Sequence, residues 1–179
     1  MAPLTVAGSG WVLVAVTVSI DVGSFDVAAA TAGWALVCWG WYRLRQVQPL
    51  YERAWRVAAG AGVGALAGLI PGPDSVERAA SLGYAALTVA ALSIGAYALQ
   101  QAAHGGRASV AAGQASFLCW AGVGVLVAGT LGTAGSVAAP SFDGLVLSAA
   151  LVGILLALWF ALLQLCCGRR PYVRTARPA

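Results

Sequence analysis

The chain has 179 residues, 60% of them hydrophobic and only 9% charged, with a net charge of +4. A soluble domain carries about 25% charged residues, so a chain this apolar cannot cover its surface in water, and lipid is its natural solvent. These proportions leave no room for a soluble domain. Because every basic residue is arginine, they also exclude lysine Schiff-base chemistry.

A transmembrane helix needs about 20 apolar residues, with a range of roughly 17–25, and six runs qualify. The first covers 4–20; no basic stretch precedes it, which argues against a cleaved signal peptide. The second, 25–42, ends in an aromatic and arginine girdle, WGWYRLRQVQPLYERAWR over 39–56. This polar break sets Arg43, Arg45, Arg53 and Arg56 among Trp39, Trp41, Tyr42, Tyr51 and Trp55, a mixture suited to the boundary between lipid tails and water. The third run covers 54–70 and is stopped by Pro71-Gly72-Pro73. The fourth covers 79–99, followed by a polar turn over 100–107 that contains His104. The fifth, 109–138, exceeds what a span needs and must tilt. The sixth covers 142–167, and a basic tail, 168–179, follows.

The charges sort onto alternate connections. Arg43, Arg45, Arg53, Arg56, Arg107, Arg169, Arg170, Arg174 and Arg177 share one side with a single acid, Glu52. Asp21, Asp26, Asp74, Glu77 and Asp143 share the other with a single base, Arg78. By the positive-inside rule the arginine side is cytoplasmic. The pattern therefore predicts an all-α polytopic membrane bundle of six transmembrane helices in a single domain, both termini cytoplasmic, in the cell membrane. If the first run is re-entrant instead, the N-terminus moves outside. The outer acids read as helix caps: Ser24 and Asp26, Asp74 and Glu77, Ser141 and Asp143 each open a helix.

Residues at four-residue spacing are mostly small: Ala28, Ala32, Leu36 and Gly40; Gly60, Gly64 and Gly68; Gly124, Ala128, Gly132 and Ser136; Gly153, Ala157 and Ala161. Such glycine-zipper stripes let helix backbones approach closely, within one bundle or between copies in a homo-oligomer. The alanine-, glycine- and arginine-rich composition suggests a prokaryotic source.

Catalytic chemistry is poorly provided for. Apart from cysteine, no ionisable side chain lies near the middle of a run. Ser9, between Gly8 and Gly10, has no histidine in any run to activate it. A lone histidine cannot build a multi-histidine metal site or supply two haem ligands, so no enzyme activity, metal or cofactor is expected. Neutral polarity remains. Hydroxyls, indoles and an amide within the runs, among them Trp34, Tyr84, Gln114 and Thr130, could line a pocket for a neutral or aromatic solute toward the outer face. The expected function is a small transport or solute-binding subunit. The alternative is a non-catalytic accessory or scaffold subunit of a larger membrane complex. The expected partners are the lipid bilayer and a homo-oligomer or larger membrane complex, with no nucleic acid.

Overall fold

Lipid offers no hydrogen bonds, so a chain of apolar runs satisfies its backbone by coiling each run into a helix. In the computed structural model there are six: α1 Pro3–Ser19, α2 Ser24–Leu44, α3 Leu50–Ala67, α4 Asp74–Gly105, α5 Ser109–Ser136 and α6 Asp143–Gly168. The structure describes residues 2–19, 24–67, 74–105, 109–136 and 143–168, with side chains described for 2–17, 29–66, 80–104, 109–132 and 148–168. No strand occurs among them. The side chains at the three acid-bearing helix starts, the connections around them and the basic tail lie outside the described residues.

Each helix packs antiparallel on the next, and α6 closes against α1, so the six form a ring. Close approaches fix the register. Gly10 of α1 meets Gly33 of α2, and Gly40 meets Pro3 and Ala7. Gly62 of α3 meets Trp34, while Gly64 faces Tyr84 of α4. Gly122 of α5 faces Ser93 and Leu92 of α4, and Val125 faces Gly153 of α6. Gly8 meets Ala161 and Leu165 of α6, and Gly168 meets Thr5 and Leu4 of α1. The start of α1, the α2–α3 corner and the end of α6 therefore share one end of the ring. It is the end that carries Arg43, Arg45, Arg53 and Arg56.

Three helices contain stretches long and apolar enough to cross a membrane: Ala80–His104, Ser109–Gly132 and Ser148–Gly168. A shorter apolar stretch, Pro3–Thr17, lies in α1. The helices outrun the apolar runs at several ends. The segment expected as a polar loop over 43–56 is mostly helix, because α2 continues to Leu44 and α3 begins at Leu50. Only 45–49 connect them, folded by Val47 N–H to Leu44 carbonyl (2.9 Å) and Tyr51 N–H to Gln48 carbonyl (3.0 Å) bonds. α4 likewise extends five residues before and six beyond the expected 79–99, taking in His104, whose ring nitrogen bonds the Gln100 carbonyl at 2.9 Å. Side-chain polarity does not end a helix; the i to i−4 backbone bonds continue until a turn residue intervenes.

Aromatic rings fill the ring's interior. Trp11, Trp34, Trp41 and Phe160 are at most 1% exposed. Trp11 packs on Trp34 at 5.2 Å, on Phe160 at 5.6 Å and on Trp41 at 6.1 Å between centroids. Glycine makes room for them: a Cβ on Gly95 of α4 would stand 2.5 Å from the Trp41 ring and 3.1 Å from Phe160. Gly83, also in α4, has open space around it. Gly95→Ala should therefore cost about 1–3 kcal/mol by overpacking. Gly83→Ala should be neutral or stabilise by up to about 1 kcal/mol through helix propensity. Unfolding of the two variants in detergent, followed by far-UV circular dichroism, checks the contrast.

Candidate functional site

The polar groups that meet inside the ring are few and neutral. Trp34, at mid-height in α2, donates its indole N–H to the Tyr84 hydroxyl of α4 at 3.1 Å. The two rings stand edge to face, with centroids 6.4 Å apart. The next turn of α4 is tied to the same place, since Thr88 donates to the Tyr84 carbonyl at 2.9 Å. Two of the four residues singled out from the sequence are thus joined across helices. The other two lie elsewhere. Gln114 is half-buried near the arginine end of α5, while Thr130 is exposed near the opposite end and donates to the Val127 carbonyl of its own helix at 2.9 Å. Sixteen residues separate them, about 24 Å along a helix axis. They do not share a site with each other, and Trp34 is too enclosed to face a common pocket with Thr130. Ser9, for its part, donates to the Thr5 carbonyl at 3.0 Å.

A second group, which the sequence reading passes over, lies nearer the arginine end. Gln164 of α6 is 1% exposed, and neither its amide nitrogen nor its amide oxygen has a hydrogen-bond partner. The indole nitrogens of Trp11 and Trp41 are likewise buried and unpartnered. Phe160, Gln164 and Cys167 are spaced i, i+4, i+7, so they share one face of α6. Phe160 touches both Trp11 and Trp41. Trp41 in turn packs on Tyr51 of α3 at 6.3 Å. Gln164 therefore lies one turn along α6 from the ring on which both indoles pack. The signal was present in the sequence: a lone amide in an otherwise apolar helix is costly enough to call for a reason.

Chemically this interior offers two indole donors and one amide that can both donate and accept. Leaving an amide unbonded in an apolar core costs roughly 2–7 kcal/mol, depending on the reference state. The groups suit a small, neutral, hydrogen-bonding molecule. Among the described residues no cluster of histidine, cysteine and acidic side chains could hold a metal ion. On the outside, an open groove between α5 and α6 is lined by Ala121, Gly124, Val125, Ala128, Ser148 and Val152.

The fold is all-helical among the described residues, with three helices long and apolar enough to cross a membrane. No protein-family model matches the chain, and no curated protein or solved structure is significantly similar to it.

One measurement probes this interior. Tyr84→Phe removes the acceptor and strands the Trp34 N–H, so it should destabilise by about 1–3 kcal/mol. In a double-mutant cycle with Trp34→Phe, that loss should be largely non-additive.

Proposed function

We propose that all six helices cross the cell membrane with both termini cytoplasmic, and that the chain works as a small transport or solute-binding subunit without a catalytic centre. Several features support the topology. The ring is antiparallel throughout. α1 and α3, at 17 and 18 residues, are about 26 and 27 Å long, close to the roughly 30 Å hydrocarbon core. The arginines of α2 and α3 gather at one end, and positive-inside sorting makes that end cytoplasmic.

The observation that carries the binding reading is Gln164. Its amide is buried without an internal partner, one turn along α6 from Phe160, which packs on two tryptophans whose indole N–H groups are also unpartnered. A neutral solute bearing both donors and acceptors would satisfy these groups and gain a ring face from Trp11 or Trp41. The Trp34–Tyr84 hydrogen bond would border that solute's route toward the outer face.

A second reading, as an accessory or scaffold subunit, is favoured by the outer face of α5 and α6. Phe117 and Trp120 are 54% and 74% exposed there, with Leu155 and Leu162 beside them and open space around Gly124. That face would meet a partner helix. Gly64 would not, since it faces Tyr84 within the same chain.

Gln164→Leu separates the two readings. An apolar residue of similar shape removes the stranded amide, so basal stability should hold or rise. As a binding subunit, the wild-type protein should gain thermal stability with some member of a panel of neutral hydroxyl- and amide-bearing solutes, and the variant should lose that gain. As a scaffold, neither protein responds to any solute, and Gly124→Leu releases a partner that co-purifies with the wild type.

A further inference from the structure

We propose that the α2–α3 corner is a binding site for the phosphate headgroup of an anionic phospholipid. The proposal is independent of what occupies the interior.

The patch is built from cations resting on exposed rings. Trp39 and Tyr42 are 47% and 42% exposed on the outward face of α2. The Arg43 guanidinium lies over the Trp39 ring at 5.0 Å, and the Arg45 guanidinium over the Tyr42 ring at 3.9 Å. Tyr42 stands edge-on to Trp55 of α3 at 5.8 Å, which ties the platform to the helix bearing exposed Arg53. Both stacked arginines fold back along α2 onto these rings. A guanidinium held over a ring still presents N–H groups in a fork that fits two phosphate oxygens.

Among the described residues these charges have no ion-pair partner. Glu52 is the one acid with a described side chain, and it is engaged by Arg56 at 2.6 Å. Asp26, Asp74, Glu77 and Asp143 belong to the starts of α2, α4 and α6, at the opposite ends of the helices. Asp26 and Arg43 both lie on α2, seventeen residues and thus about 26 Å apart. Even in salt water that exceeds the screening length of roughly 8–10 Å. No carboxylate with a described side chain is left to neutralise Arg43, Arg45 and Arg53.

The exposed rings decide which anion. Tryptophan and tyrosine with one apolar face and one polar edge sit at the headgroup level of a bilayer. A ligand that meets both the arginines and the rings carries its phosphate directly above an acyl chain. A phospholipid has that form and a free phosphate ion does not. A net negative headgroup fits better than a zwitterionic one, because two guanidinium groups rest on the platform and Arg53 adds positive charge at the same end of the fold.

Native mass spectrometry of the full-length detergent-purified protein tests this, with phosphatidylglycerol and phosphatidylcholine added in equal amounts. The wild type should retain phosphatidylglycerol preferentially. Each lost guanidinium should weaken retention about fivefold, and Arg43→Gln/Arg45→Gln/Arg53→Gln together roughly a hundredfold. Arg56→Gln, whose charge is already met by Glu52, should change retention by less than about twofold. Equal retention of the two lipids by the wild type would overturn the proposal, as would a triple variant that keeps its preference. So would a thermal stabilisation by inorganic phosphate alone that matches the one given by phosphatidylglycerol. The triple variant's melting temperature in lipid-free detergent serves as the folding control. If it is lowered, Trp39→Ala, which removes the ring beneath Arg43 and leaves every charge in place, must reduce the preference for the proposal to stand.

Discussion

The indole of Trp11 holds the architecture together. It is wholly buried and touches Trp34 and Trp41 of α2 and Phe160 of α6, so one side chain of α1 bridges the helix that follows it and the last helix of the chain. Helices in lipid gain little from burying apolar surface against one another, since the tails are as apolar as leucine. What draws them together is close packing, and interlocked rings provide much of it. Edge-to-face aromatic pairs add about 0.5–1.5 kcal/mol each beyond the area they cover. The glycines complement this directly. Gly10 and Gly33 let α1 and α2 approach at the backbone, and Gly95 leaves space for the Trp41 ring. Small residues on some faces and large rings on others are two halves of one packing solution.

That solution also gives the protein two dissimilar ends and a mixed interior. Antiparallel order brings the start of α1, the α2–α3 corner and the end of α6 to one end, where arginine and exposed aromatic residues collect. Between the ends, polar atoms are scarce. Trp34 and Tyr84 satisfy each other, whereas Gln164 and the indoles of Trp11 and Trp41 do not. In an apolar solvent an unsatisfied amide is expensive. That unmet hydrogen-bonding capacity is the observation on which the proposed binding role rests.

The six helices were legible in the sequence because each apolar run has its own stop: Pro71-Gly72-Pro73 after α3, a polar segment after α2. Their ends were less so. Arg53 and Arg56 look like loop residues in a hydropathy reading, yet they occupy the first turns of α3, where guanidinium groups extend past the apolar zone without disturbing the backbone. Gln100, Gln101 and His104 extend α4 for the same reason. The Trp34–Tyr84 bond was not legible as a pair, because it depends on how α2, α3 and α4 stack: residues fifty apart meet only after Gly62 and Gly64 bring α3 close to both neighbours. Gln114 and Gln164 look alike in sequence, single amides in apolar runs. Only the ring's geometry turns one partly outward and the other fully inward.

Closure of the ring between α1 and α6 is the feature on which the interior depends, and a crosslink measures it most directly. A Cβ on Gly168 would lie 2.5 Å from the Thr5 hydroxyl oxygen, so cysteines at these two positions fall within disulfide reach. With Cys38, Cys119, Cys166 and Cys167 replaced by serine or alanine, Thr5→Cys/Gly168→Cys in native membranes should form an intramolecular disulfide rapidly under mild oxidation. Either single-cysteine variant should remain monomeric and unlinked. Failure of the pair to crosslink, or crosslinking only between chains, would contradict the closed ring and the aromatic interior built within it.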